Sequence, residues 1–239
     1  REKFCAAAMA QAASARQARG LSVLFIHCSV PCQKMDFAAH IDSADHGLVQ
    51  IVDSAMAEAA RRSGDWLVCR PGCTQCCVGP FAITQLDARR LRRGLAELEA
   101  NDPGRGARVR ERARESVARI SRYFPGDPAT GILAEDEPSQ ERFATFADDE
   151  PCPALDPETG SCDLYAARPL TCRTFGPPVR CDSEAVACCE LCFVGASDAE
   201  IAACEVEADP DGVEAAISDE LQEATGVRGQ TIVAFCLVC

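Results

Sequence analysis

The chain has 239 residues, 17 of them cysteine, with a net charge of −13 and aromatic residues at 5%. The negative charge argues against nucleic-acid binding, which requires Lys and Arg at the phosphates, and against binding to anionic membranes. No apolar run reaches the ~18 residues of a membrane span. A long chain with an odd number of cysteines is also unlike a secreted disulfide framework. We therefore expect a cytoplasmic protein whose reduced thiols bind a metal ion.

Residues 1–46 differ in composition from the rest of the chain and contain all three histidines. Two cysteines and two histidines in this stretch suggest a zinc finger. However, the gap from Cys32 to His40 is too short for the strand and helix that separate such ligand pairs. We expect an N-terminal extension that is poorly ordered or lies outside the fold. A cysteine-rich metal-binding domain with a helical C-terminal segment is expected over residues 47–239.

The first predicted helices surround the first cysteines. Apolar residues at helical spacing predict a helix from about Leu48 to Ser63. Thr84, with Asp87 three residues later, is a variant of the capping box and predicts a second helix start. Asp102 comes directly before a proline, which predicts the start of a third helix because proline is favoured at the first helical position.

Further helices are predicted in the second half of the chain. One short helix is expected near residues 139–146, and another after Ser197, whose partner Glu200 completes a capping box. A third is expected to open at Asp209. The tail over residues 231–239 is a short apolar run, compatible with either a strand or a buried helix. The predicted class is mainly α: a small, irregular, cysteine-rich and metal-centred domain with at most a short β-hairpin.

Four cysteines fall within nine residues of one loop: Cys69, Cys73, Cys76 and Cys77. Thiolates are soft ligands that favour zinc, copper(I) and iron–sulfur clusters over calcium or magnesium. One tetrahedral zinc ion or one four-iron cluster uses at most four thiolates, and three more cysteines follow at even intervals. The sequence therefore predicts either two neighbouring sites or one site with additional thiols around it.

The later cysteines begin with a predicted hairpin. Residues 156–160 have the composition of a turn, which would place Cys152 and Cys162 at the two ends of a small hairpin. Both thiols could then point toward the same centre.

Cys172 follows a predicted short helix that Asp163 would cap and Pro169 would interrupt. This arrangement would present the Cys172 thiol beside Arg168 and Arg173. Their positive charges would offset a group of thiolates and keep them deprotonated. The alternative is that both arginines form ion pairs at the surface.

The ordered combination of these segments resembles the CxxCxxCC family, a family of zinc- or iron-chelating domains. Its parts here are Cys69–Cys77, the Cys-Pro-Ala-Leu string that begins at Cys152, and Cys162–Arg173, so the resemblance covers roughly residues 65–195. One departure is that Cys69 and Cys73 are separated by three residues rather than two. A flagellin lysine N-methylase resembles this family, which implies an iron–sulfur-dependent modification enzyme as an alternative function.

The two cysteines of a later C-x-x-C pair, Cys189 and Cys192, complete the set of predicted ligands. The first loop also has the C-x3-C-x2-C spacing of radical S-adenosylmethionine enzymes. A further alternative function is that of a thiol–disulfide redox protein. The expected partner is a metal ion, with zinc or iron as the cofactor, the iron in some cases as an iron–sulfur cluster. The candidate ligands are Cys69, Cys73, Cys76, Cys77, Cys152, Cys162, Cys172, Cys189 and Cys192.

Overall fold

Helices dominate the computed structural model, which describes residues 37–70, 72–181 and 186–238. The predicted mainly α class is confirmed. None of the described helices has both the length and the apolarity needed to span a bilayer. The helices are α1 (Phe37–Ser63), α2 (Gln85–Asn101), α3 (Pro103–Ile120), α4 (Glu137–Ala144), α5 (Leu170–Arg173), α6 (Asp198–Cys204), α7 (Val213–Thr225) and α8 (Val233–Val238).

Three antiparallel strand pairs, each with two-residue strands, interrupt the helices in the described residues, where one hairpin was expected. Short 3-10 turns cover Gly64–Trp66, Gln75–Cys77, Ser121–Tyr123 and Tyr165–Ala167. The pairs are β1 (Gly126–Asp127) with β2 (Ile132–Leu133), β3 (Leu155–Asp156) with β4 (Ser161–Cys162), and β5 (Val179–Arg180) with β6 (Val186–Ala187).

The expected boundary between residues 46 and 47 lies inside α1. This helix already begins at Phe37, and Ile41 is fully buried on the same face as Leu48 and Val52. The apolar spacing that predicts the helix therefore extends upstream of the expected start, and residues 37–46 are part of the folded domain. The first 36 residues of the expected extension lie outside the described residues.

Three predicted helix caps, at Thr84, Asp102 and Ser197, are confirmed. The Thr84 hydroxyl accepts a hydrogen bond from the Asp87 amide at 3.1 Å, and the Asp102 carboxylate accepts one from the Arg105 amide at 3.0 Å. The Ser197 capping box is complete. Each contact satisfies a backbone N–H that the first turn of a helix leaves without a partner.

The core is shared between two layers that meet at α2. One layer packs α1 and α7 against Leu86 of α2, and the other packs α3 and α8 against Leu91 and Leu95. The apolar tail of the chain is a helix, because α8 is buried between α2 and α3 with Leu237 fully enclosed. Helix α2 is thus the central support of the domain.

An ionic network is buried on α2. The Arg90 guanidinium donates to the Asp87 carboxylate at 2.5 Å and to the Asp45 carboxylate of α1 at 3.0 Å, and all three side chains are almost fully enclosed. Asp87 also accepts a hydrogen bond at 3.0 Å from the amide of Leu170, the first residue of α5. This network therefore attaches α5, which carries Cys172, to the centre of the fold.

Candidate metal centre

A backbone bridge joins the two cysteine-rich segments. Val78 pairs with Pro151 in an isolated antiparallel bridge, and the Cys152 amide donates to the Cys77 carbonyl at 2.8 Å. The Gly79 amide donates to the Glu150 carbonyl at 2.8 Å on the other side of the bridge. Cysteines separated by about 75 positions are consequently held at adjacent backbone positions.

The predicted hairpin is confirmed as β3 and β4, with Leu155 opposite Cys162. Its turn is held by the Asp156 carboxylate, which accepts from the Glu158 amide at 3.0 Å and from the Thr159 hydroxyl at 2.9 Å. Asp is common in such turns because its side chain can accept a hydrogen bond from the backbone two residues further on. The hairpin presents Cys162 next to the segment that begins at Cys152.

The predicted helix cap at Asp163 is wrong. This buried carboxylate instead binds Arg105 at 2.7 Å and Arg112 at 2.6 Å, both on α3. Two guanidinium groups are stronger partners than one backbone amide, so the residues after Asp163 form only a 3-10 turn. Helix α5 begins after Pro169, and its first amide is bound by Asp87.

The two arginines near Cys172 have different roles. Arg173 is buried and its guanidinium bonds the Asp53 carboxylate of α1 at 2.8 Å, so it ties α5 to α1. Arg168 lies over the Tyr165 ring, 3.6 Å from its centroid. Its charge acts on Cys76 and Cys162, where it opposes the effects that raise the pKa of each thiol. Arg168 is thus placed to offset negative charge on these two thiols, whereas Arg173 forms a structural ion pair.

Five cysteine thiols, together with those of Cys69 and Cys73, line a cavity of about 740 Å³. Its other walls include Phe81, Leu91 and Ile232. We call the five thiols the cavity group; its members are Cys76, Cys77, Cys152, Cys162 and Cys172.

The thiols of the cavity group are neighbours that interact electrostatically. Burial, together with the nearby Cys162 and Cys76 thiols, raises the pKa of Cys152 to about 12. Burial also raises the pKa of Cys172, again with contributions from Cys152, Cys76 and Cys162. For Cys76 the largest effect is a hydrogen bond with Cys77, followed by burial, and both raise its pKa. Several thiolates here require a compensating cation, because burial and mutual repulsion both favour the neutral thiol.

A second set of thiols lies beside the aromatic pair Trp66 and Phe193. The Sγ atoms of Cys69, Cys189 and Cys192 all lie within 4.8 Å of one another, and those of Cys69 and Cys192 are 3.7 Å apart. We call these three the three-thiol group. Among the residues that the structure describes, it is the one set of three potential ligand atoms gathered this closely.

The walls of the three-thiol group are apolar. Trp66 and Phe193 stack with ring centroids 6.2 Å apart, and the Phe193 amide donates to the Trp66 carbonyl at 3.1 Å. Cys189 and Cys192 are buried in the same cluster. Burial, followed by the neighbouring Cys192 and Cys189 thiols, raises the pKa of Cys69. This group also favours a cation because its thiols share an environment with little water.

Gly176 lies against the three-thiol group, and the sequence analysis did not identify it as part of the site. Its carbonyl accepts from the Cys189 amide at 3.4 Å and from the Cys188 thiol at 3.3 Å. Its φ of +123° is a conformation that side chains rarely adopt, and an added Cβ would lie 2.9 Å from Leu67 and 3.6 Å from the Cys69 sulfur. The signal that could have identified it in the sequence is a glycine directly before two prolines, located between the candidate ligands Cys172 and Cys189.

The CxxCxxCC family, described as "Putative zinc- or iron-chelating domain", has a sequence model that matches residues 68–193, more than half of the chain. The chain belongs to the CxxCxxCC family. No curated protein and no solved structure gives a significant match. The match confirms the resemblance seen in the sequence, and it encloses both thiol groups of this CxxCxxCC protein and all nine candidate ligands.

The structure of this CxxCxxCC protein separates cysteines that are neighbours in sequence. Cys69, Cys73 and Cys76 do not form a set of three thiols within 4.8 Å of one another in the described residues, so these three loop cysteines are not arranged to bind one single ion. Cys69 instead meets the late C-x-x-C pair, and Cys76 meets the hairpin and α5. The early loop therefore contributes cysteines to both the three-thiol group and the cavity group.

Proposed function

We propose that the protein binds zinc or iron through the cavity group, the iron as an iron–sulfur centre, with thiolates as the ligands. The observation that carries this proposal is the convergence of five thiols on one cavity from three separate segments: the early loop, the hairpin and α5. A protein core does not gather five titratable thiols around a cavity for packing alone, since a cavity forfeits dispersion contacts.

The donor set supports an all-sulfur centre. The two described histidines lie on α1, where His40 bonds Glu220 and His46 bonds Gln50, away from the cavity group. Soft thiolates without an imidazole partner favour zinc and iron–sulfur chemistry. Glu150, the carboxylate that also lines the cavity, is bound by Arg119 at 2.7 Å. The positive charge of Arg168 beside Cys76 and Cys162 would further stabilise a thiolate-rich centre of net negative charge.

Two other functions remain as alternatives and are separated by the same measurement. An iron–sulfur-dependent modification enzyme requires iron and sulfide in the purified protein. A thiol–disulfide protein requires reversible disulfides in metal-free protein. The Cys69 and Cys192 sulfurs, which are 3.7 Å apart, are the pair that would form such a disulfide.

The test is anaerobic purification followed by analysis of zinc, iron and acid-labile sulfide per chain. Cys76→Ser and Cys172→Ser should each remove most of the metal held by the cavity group. Cys236→Ser is the matched control, because Cys236 is a buried cysteine outside both thiol groups whose thiol donates to the Ala88 carbonyl, a bond that serine can keep.

Iron with equal sulfide would identify an iron–sulfur centre, and zinc in colourless protein would identify a zinc site. Circular dichroism of each variant separates metal loss from unfolding. Unchanged metal content in both folded variants, or purified protein that binds neither metal after reduction, would contradict the proposal.

A further inference from the structure

We propose that Cys69, Cys189 and Cys192 supply three of the four ligands of a second metal site, one that holds a single tetrahedral ion and is independent of the centre in the cavity group. This inference rests on the proposed function only in taking metal as the ligand of clustered thiols in this protein. It divides the nine candidate ligands between two sites of different geometry.

The sulfur spacing fits one ion. Zinc–sulfur bonds of about 2.3 Å at tetrahedral angles place neighbouring sulfurs about 3.8 Å apart. The Cys69 and Cys192 sulfurs are 3.7 Å apart, and Cys189 lies within 4.8 Å of both. An ion can therefore be bound by shifts of about 1 Å or less at one side chain.

The cavity group has a different geometry. No three of its thiols lie within 4.8 Å of one another in the described part of the chain, and the cavity between them is about 740 Å³. A lone ion with bonds of about 2.3 Å would bind several of these sulfurs only after larger side-chain shifts than the three-thiol group needs. The cavity group therefore suits a larger centre, whereas the three-thiol group suits a single ion.

The two groups also have separate surroundings. Cys189 and Cys192 pack with Phe193, while Cys152 and Cys162 pack against the core between α2, α3 and α8. The thiols that interact with Cys69 are Cys189 and Cys192. Cys69 borders the cavity, so the two sites are adjacent but do not share a ligand.

Trp66 gives the site its own reporter, because it is the single tryptophan of the chain and packs in the same cluster as the three thiols. Reduced, metal-free protein is titrated with Zn²⁺ while Trp66 emission is recorded. The same titration with Co²⁺ is followed by the visible absorption of tetrahedral thiolate-bound cobalt.

Three variants decide the outcome. Cys192→Ser should abolish the Trp66 response or weaken Zn²⁺ binding there by about tenfold or more, since one of three thiolates is lost. Cys172→Ser should keep the full Trp66 response. Cys188→Ser is the matched control, because its exposed neighbouring thiol bonds the Gly176 carbonyl and serine can keep that bond.

The possible failures can be told apart. A protein that binds one ion per chain, lost equally in Cys172→Ser and Cys192→Ser, would overturn the second site and leave the proposed function standing. A protein that binds no metal at all would overturn both. An unchanged Trp66 response in folded Cys192→Ser, or its loss in Cys188→Ser, would overturn the assignment of the three ligands.

Discussion

The three-thiol group and the cavity group use the same residue type in opposite settings. The three-thiol group brings its sulfurs together in an apolar cluster beside Trp66 and Phe193. The cavity group distributes its sulfurs around an open volume, with no three of them within 4.8 Å of one another in the described residues. Both draw on the same early loop, so the division is made by the later segments that each thiol meets. The distances between sulfur atoms in the structure, rather than the spacing of the cysteines in the sequence, therefore determine what kind of centre each group can hold.

The largest expected effect concerns the support of the cavity group. Arg90→Met should lower the free energy of unfolding by about 3–5 kcal/mol, because it leaves the buried Asp45 and Asp87 carboxylates without their shared partner. Asp87 also binds the first amide of α5, so metal held by the cavity group should fall while the Trp66 response to Zn²⁺ persists in the folded fraction. Urea denaturation and metal analysis measure the two effects.

Arg89→Met is the control for this variant. Arg89 pairs with Asp42 at 2.8 Å in a half-exposed position, and such pairs contribute roughly 0–1 kcal/mol. Equal destabilisation by the two substitutions would contradict the special role of the buried network.

A smaller effect is expected from Glu214 of α7, next to the same network. Burial, followed by the charge of Asp87, raises the pKa of Glu214 to about 8. A raised carboxyl pKa favours the neutral form in the folded state, so its contribution is present in full below about pH 4.5 and is lost as pH rises through 8. Glu214→Gln should remove this loss and gain on the order of 2 kcal/mol relative to the parent between pH 5 and pH 8.

Urea denaturation at the two pH values checks this prediction. Glu223→Gln, at an exposed carboxylate on the same helix, should leave the pH dependence of the parent unchanged. Parallel pH profiles for Glu214→Gln and the parent would show that Glu214 is ionised in the folded protein at both values.

The three-thiol group has its own sensitive position at Gly176. Gly176→Ala should destabilise the protein by about 1–2 kcal/mol, because its φ of +123° disfavours a side chain. The new Cβ would also lie 2.9 Å from Leu67 and close to Cys69. Zn²⁺ binding reported by Trp66 should weaken, whereas the metal content of the cavity group should be retained.

Gly226→Ala separates backbone strain from contact. Gly226 ends α7 at a φ of +72°, and an added Cβ there meets nothing within 4 Å. This variant should cost a similar strain energy without changing the Trp66 titration. Weakened Zn²⁺ binding in both glycine variants would mean that global stability, not the local contact, controls the site.

The smallest effect is expected at Arg168. Arg168→Met should shift the pH midpoint of metal release from the cavity group upward by a few tenths of a unit, because the charge beside Cys76 and Cys162 no longer opposes protonation of these thiols. Arg168→Lys, which retains a positive charge, should recover most of the shift. A midpoint that is identical in all three proteins would remove Arg168 from the account of the site.

Local signals in the sequence predicted much of the fold. Thr84, Asp102 and Ser197 cap helices as expected, since a cap depends on residues within one turn. The hairpin before Cys162 also followed from its own turn residues. The cap expected at Asp163 failed because two arginines more than fifty positions away bind that carboxylate.

The candidate site was predicted as a set of residues and not as an arrangement. Thiol chemistry and the late C-x-x-C pair identify the cysteines, but adjacency in the loop does not reveal that Cys69 and Cys76 face different partners. That division depends on long-range contacts such as the Val78–Pro151 bridge and the Gly176 carbonyl. A single sequence contains no direct signal for the bridge or for which cysteines the Gly176 carbonyl contacts.

The contact between Cys69 and Cys192 spans 123 positions of the chain. An unstructured polypeptide would have to close a loop of that length to gather the same sulfurs, at an entropic cost of about 4 kcal/mol. During translation, an ion can therefore be bound by both sulfurs only after the ribosome has synthesised the chain past Cys192.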